Sequence, residues 1–247
     1  MRINIFNTTD EMGRDAARFI AAKLNAAIEA RGEACIVLST GASQFAMFEH
    51  LTDEQLKVDW TKVTMFHLDE YVALPGTHIA SFRRYLKERF ASRVPLKEAV
   101  YVSGEGDVQE QIASLTERIR AKQIDVGVIG IGENGHIAFN DPPADFETQE
   151  SYIVVNLDDR CKQQQVGEGW FATADEVPDQ AISMTVSQIM KADCIVSIAP
   201  YAVKQDAIAR TLTSEVTNRV PATILKTHPD WNLWLDAASA AGWMRME

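Results

Sequence analysis

The feature that most constrains this chain is a repeated alternation. Apolar runs with no polar residue every second position, ACIVLS (34–39), VTMFHL (63–68), IDVGVIGI (124–131) and CIVSIA (194–199), are separated by stretches whose apolar residues recur at helical spacing. Continuous apolar runs of this length suit strands covered on both faces, the signature of a parallel sheet flanked by helices. INIF (3–6), AVYV (99–102), YIVV (152–155) and NLWL (232–235) read as further strands. The helix over residues 10–31 is the clearest. Thr8 and Glu11 have capping-box spacing, Ala17, Phe19, Ile20, Leu24 and Ile28 form an apolar stripe, and Gly32 supplies a stop. Helices are also predicted over 43–51, 79–90, 108–121, 182–191, 201–212 and 237–244. The expected fold is α/β, with a mainly parallel sheet and helices on both faces. No repeat, low-complexity tract or linker interrupts it, so the 247 residues are read as one domain, 1–247.

Charge narrows the function classes. Against 24 Lys and Arg stand 35 Asp and Glu, a net charge of −11, with no basic stripe. Such a chain is ill suited to replace counterions on a nucleic acid, though a pocket with local donors still accepts a small anion. No run approaches a membrane span, and the opening MRINIF lacks the apolar core of a signal peptide, so a soluble cytoplasmic protein is expected. Cys35, Cys161 and Cys194 are widely spaced and without zinc-site spacing. They are read as structural thiols, although Arg160 and Lys162 flank Cys161 with charge that favours a thiolate.

In open α/β sheets ligands sit beyond the carboxyl ends of the strands. Three strong strands end in chemistry there. STGAS (39–43) offers Ser39, Thr40 and Ser43 hydroxyls, a tight turn at Gly41 and a helix N-terminus, a combination suited to phosphate. HLDEYV (67–72) ends in adjacent carboxylates, and because neighbouring residues on a strand face opposite sides, only one of Asp69 and Glu70 can face a site. A carboxylate so placed is a candidate proton-transfer base. GENGHIAFND (132–141) sets His136, a candidate acid or base near neutral pH, on a glycine turn, with Asp141 five residues on to orient the imidazole or share its proton work.

The order STGAS, HLDEYVALP, GIGENGHIAFNDP resembles the glucosamine-6-phosphate deaminase/isomerase family, in the superfamily of 6-phosphogluconolactonases and ribose-5-phosphate isomerases. The resemblance spans nearly the whole chain and implies a single-domain, modified Rossmann-like α/β sandwich, in agreement with the alternation of strands and helices. It implies aldose–ketose isomerisation with deamination of an amino-sugar phosphate, and no metal or redox cofactor. It places ring opening on Asn134, His136 and Asp141, and the C2–C1 proton transfer on Asp69. Substrate and phosphate binding fall on Ser39, Thr40, Gly41, Ala42, Ser43, Glu70, Gly135 and Lys204. A small-molecule sugar phosphate is the expected partner, with no nucleic acid or membrane, and a homo-oligomer stays open.

The chain departs from the family pattern in three places. Asn134 stands where relatives have Asp, and Asp141 where they commonly have Glu. In GEGWF (167–171), Gly169 falls where an arginine often clamps the phosphate, leaving Arg160 or Lys162 as stand-ins. The acidic segment ADFETQE (144–150) is a poor surface for a second sugar phosphate, so that form of allostery is not expected. Two other readings stand beside the deaminase: a 6-phosphogluconolactonase-like hydrolase, whose family has DGHTASLFP-like text after the glycine turn, and a non-catalytic sugar-phosphate sensor.

Overall fold

The computed structural model describes residues 1–245, the side chain of Arg160 excepted. Strand β1 (Arg2–Phe6) leads into helix α1 (Thr9–Arg31), whose start and stop follow from single residues. Thr8 accepts the Glu11 N–H at 3.2 Å, and Gly32, at φ 79°, closes the other end with its N–H on the Ile28 carbonyl. β2 (Ala34–Leu38), a 3₁₀ turn (Ala42–Gln44) and α2 (Phe45–Leu51) come next, then β3 (Val63–His67) and β4 (Asp69–Tyr71). α3 (Phe82–Leu86), β5 (Glu98–Val100), α4 (Val108–Arg120) and β6 (Val126–Val128) complete the first half. The second half contains β7 (Tyr152–Asn156), α5 (Asp159–Gly167), β8 (Gln180–Met184), α6 (Val186–Ile189), β9 (Ile195–Ile198), α7 (Gln205–Thr213), β10 (Trp231–Asp236) and α8 (Ala237–Met244).

Seven strands form one parallel sheet in the order β1-β10-β9-β6-β2-β3-β5. β2 shows why its run is apolar throughout. Ile36 and Leu38 pack with α1 and α2 on one face, while Cys35 and Val37 pack with Leu115 and Ile119 of α4 on the other. Both faces are dry, so every position must be apolar. Among the described residues no helix is long and apolar enough to cross a membrane.

The structure corrects the sequence reading in the second half. The helix expected over 182–191 is a strand followed by a short helix: β8 ends at Met184 and α6 starts at Val186, with Thr185 accepting the Gln188 N–H at 3.2 Å. β8 is the middle of a second, antiparallel sheet, β4-β8-β7. The helix α5 was not expected; Asp158 caps it by accepting the Cys161 N–H at 2.7 Å. The helix expected over 79–90 divides into α3 and a wider turn, Lys87–Ala91.

The second sheet positions chemistry. It pairs Asp69 with Ser183, and the Ser183 hydroxyl accepts the Phe139 N–H at 3.0 Å. Asn140 donates to the Met184 carbonyl at 2.9 Å. One strand, β8, thus holds the Asp69 segment and the 136–141 segment in a fixed relation.

Candidate active site

β9, β6, β2 and β3 are neighbours in the large sheet and end at the same edge. The chain reverses its direction of growth between β2 and β6, the switch point where such sheets leave a crevice. The segments leaving these four strands line one cleft: 39–44 after β2, Asp69 after β3, 130–133 with His136 after β6, and Tyr201 with Lys204 after β9.

Asp69 is buried apart from its opening onto the cleft. Burial, and then the neighbouring charge of Glu70, push its carboxyl up to about 8. A carboxyl with a pKa near the working pH is well matched to taking and returning a proton. Glu70, expected among the substrate contacts, does not line the cleft. Fully buried, it accepts the Ser81 hydroxyl at 2.8 Å and the N–H groups of Arg83 and Phe82 at 2.9 and 3.2 Å. It therefore satisfies the N-terminus of α3 and braces the strand that carries Asp69.

His136 lines the cleft, and its Nδ1 lies 3.1 Å from Asp141 Oδ1, a close contact without good hydrogen-bond alignment. Gly132 is what admits the ring, since a β-carbon there would come within 2.2 Å of it. The Asn134 side chain does not bond the imidazole. Instead its Oδ1 accepts the His136 backbone N–H and its Nδ2 donates to Asp141, both at 2.9 Å. Burial alone would raise the Asp141 pKa, but the imidazole, Asn134 and Cys161 outweigh it and hold the carboxyl below its usual value. An amide at 134 can donate to this carboxylate, whereas an ionised Asp would repel it. Asn134 and Asp141 therefore sit behind His136 rather than on the cleft wall. Gly135, expected to touch substrate, also lies behind it, against Val220.

At the other end of the cleft, Gly41 (φ 100°) turns the 39–43 segment, and the buried Ser39 Oγ and Gln44 Oε1 have no partner among the described residues. Lys204 is 6% exposed and makes no ion pair among them. Burial lowers its pKa, opposed by the nearby charges of Glu168 and Glu133. A buried, unpaired ammonium beside polar groups that lack partners calls for an anion.

Lys162, one of the two stand-ins for the missing arginine, does not line this end. Lys162 is bound to Asp179 at 2.5 Å, and the Arg160 side chain lies outside the described residues. Cys161 is buried and its thiol is pushed up, first by burial and then by Asp141, so the flanking cations do not make it a thiolate. The sequence reading did not find Gln164, Gln165, Glu168 and Tyr201, all of which line the cleft. The first three sit on or just after α5, whose polar sequence carries no amphipathic signal. Gln165 accepts the Tyr71 hydroxyl at 2.7 Å, and Glu168 is tethered by Gln164 and by the Trp170 indole at 2.8 and 3.0 Å. Tyr201 stands in a backbone region that costs a non-glycine residue about 1–3 kcal/mol (φ 76°, ψ 146°). Among the described residues no cluster of three His, Cys, Asp or Glu is arranged to hold a metal ion.

The model of the glucosamine-6-phosphate isomerase/6-phosphogluconolactonase family matches residues 7–234. The chain belongs to this family. A glucosamine-6-phosphate deaminase of Thermoanaerobacter pseudethanolicus is 32% identical to this family member, over 98% of this chain and 94% of the relative. Among solved structures, a monomeric glucosamine-6-phosphate deaminase superposes with a TM-score of 0.89 at 23% identity, covering 98% of this chain and all of the other. A 6-phosphogluconolactonase from Shewanella baltica superposes with a TM-score of 0.78 at 20% identity, over 96% and 98% of the two chains. At these identities the superpositions establish the fold, which deaminases and lactonases share.

Proposed function

We propose that this chain converts glucosamine 6-phosphate and water to fructose 6-phosphate and ammonia. The observation that carries the proposal is the meeting, in one cleft, of a carboxyl near pKa 8, a carboxylate-backed imidazole and a buried unpaired ammonium. The phosphate binds at the 39–44 turn and Lys204. His136, oriented by Asp141, gives a proton to the ring oxygen while the C1 hydroxyl loses one, and the ring opens to the aldehyde. Asp69 takes the proton from C2 and returns it at C1. The double bond passes through an enolamine to an imine at C2. Water adds to that imine, and ammonia leaves as the ketose forms. The sequence moves protons and no net electrons, so no redox cofactor enters it.

Lactone hydrolysis has no carbon-bound proton to move and makes no use of a basic carboxylate at Asp69. A sensor has no use for the acid–base pair. The deciding assay follows ammonia release and ketose 6-phosphate formation together, over a panel of hexosamine 6-phosphates, with 6-phosphogluconolactone as a control. Equal amounts of ammonia and fructose 6-phosphate from glucosamine 6-phosphate are expected. Lactone hydrolysis without ammonia would mean a lactonase, and binding without turnover a sensor.

His136→Gln is expected to slow the closed pyranose by about 10²–10⁴-fold while sparing an open-chain substrate analogue. Comparing the two substrate forms checks this; equal losses on both would remove the imidazole from ring opening.

A further inference from the structure

Tyr201 occupies a turn that glycine would serve better. At φ 76° and ψ 146° its β-carbon is crowded by its own backbone. The surroundings nevertheless hold it there. Its N–H donates to Asp236 Oδ2 at 3.0 Å, and the other oxygen of that carboxylate accepts the Ser239 N–H at 2.8 Å at the start of α8. Its carbonyl accepts the Lys204 N–H at 3.0 Å, so the turn that constrains Tyr201 also places Lys204. Packing does not account for the side chain. Tyr201 is 39% exposed and joins none of the apolar clusters, yet it lines the cleft with Lys204.

A phenol has one property here that glycine lacks, a hydroxyl that donates to an anion. We infer that Tyr201 is a substrate-binding residue of the reaction proposed above, on which this inference rests, and that its hydroxyl donates to the substrate phosphate beside Lys204. Burial, and then the charge of Asp236, raise the phenol's pKa, so it remains a donor across the neutral range. A neutral donor also suits a cleft that carries Glu133 and Glu168 and has no arginine at position 169. The strained turn is then the means by which one short segment presents two phosphate ligands, Tyr201 and Lys204.

Two variants separate the hydroxyl from the strain. Tyr201→Phe keeps the ring and backbone and removes the donor. It is expected to raise KM for glucosamine 6-phosphate about tenfold, as fits one hydrogen bond to a charged group, with kcat within about twofold and Tm unchanged. Tyr201→Gly relieves the backbone as well, and should raise Tm by about 2–4 °C while losing the same affinity. Calorimetric titration with inorganic phosphate gives a readout independent of turnover, and its Kd should weaken in both variants by the factor seen in KM. Wild-type KM and phosphate Kd in Tyr201→Phe would overturn the assignment, as would a loss confined to kcat. If the wild-type protein releases no ammonia from any hexosamine 6-phosphate, the deaminase reading fails, and the phosphate Kd of Tyr201→Phe still decides whether Tyr201 is an anion ligand.

Discussion

Asp69→Asn is expected to abolish turnover and to make the folded chain more stable, the more so as pH rises toward 8. The two effects share one cause. Burial and Glu70 lift the Asp69 carboxyl from 3.8 to about 8. Between those values the native chain keeps a proton that the unfolded chain has released. Where the native state binds more protons, stability falls as pH rises. The contribution is therefore fully present below about pH 4, declines through the window, and levels off above about 8. The slope is at most about 1.4 kcal/mol per pH unit. Asparagine has the same shape and does not titrate, so the variant lacks that slope. It also cannot accept a proton from C2, and loss of a general base costs about 10²–10⁴-fold in rate. Substrate affinity should be largely kept, because the phosphate end is untouched.

The measurements are kcat with isothermal titration of substrate, and urea unfolding at pH 5 and pH 8 for both proteins. In the wild type, kcat/KM should also climb through an acid limb near pH 8, as the free protein's base ionises. Near-normal turnover in Asp69→Asn removes the residue from the mechanism. Parallel stability–pH curves for the two proteins would show that the carboxyl is not held protonated by burial.

Much of this site was legible because strand ends are local features. Each of the 34–39, 63–68 and 124–131 runs is apolar for its own packing reasons, and each stops where the polar residues begin. Alternation on an extended segment implied that one of Asp69 and Glu70 faces away, and the structure shows which: Glu70 is fixed by the Ser81, Phe82 and Arg83 donors, which lie far enough along the chain that no spacing rule connects them. The second sheet was not legible for the same reason. β4 is three residues long, and its pairing with β8 joins Asp69 to Ser183. Ala181, Ile182 and Met184 continue into Val186 and Ile189 in a way that resembles a helix face, and only the non-local pairing makes the first part a strand. The cleft wall formed by Gln164, Gln165 and Glu168 comes from a helix with no apolar stripe, set by a cap at Asp158 and by the Tyr71 bond to Gln165. Asn134 was singled out by its place in the motif, but what it bonds depends on the direction of its amide, which a motif does not contain.

Lys204→Ala is expected to raise KM for the sugar phosphate by about ten- to a hundredfold, the range of a lost charge-assisted bond of roughly 1.5–3 kcal/mol, with a smaller change in kcat. The ammonium is almost fully buried, and its pKa is lowered by that burial against the opposing pull of Glu168 and Glu133. A folded-state pKa below the unfolded value means that the charged lysine costs stability, so its removal should leave the chain at least as stable and separate binding loss from unfolding. A dianionic phosphate supplies the missing counter-charge and draws the pKa back up, so binding takes up a proton on the alkaline side. Wild-type KM should therefore rise with pH as the free ammonium deprotonates, while that of Lys204→Ala should lack this rise. Unphosphorylated glucosamine forgoes Lys204, the 39–44 turn and the Tyr201 hydroxyl together, and should not be turned over at a useful rate. The comparison is kcat/KM for glucosamine against its 6-phosphate in both proteins. The preference for the phosphorylated sugar should be large in the wild type and shrink in Lys204→Ala. Similar values for the two sugars in the wild type would reduce the 39–44 turn to an ordinary helix start and remove the phosphate from the recognition of substrate.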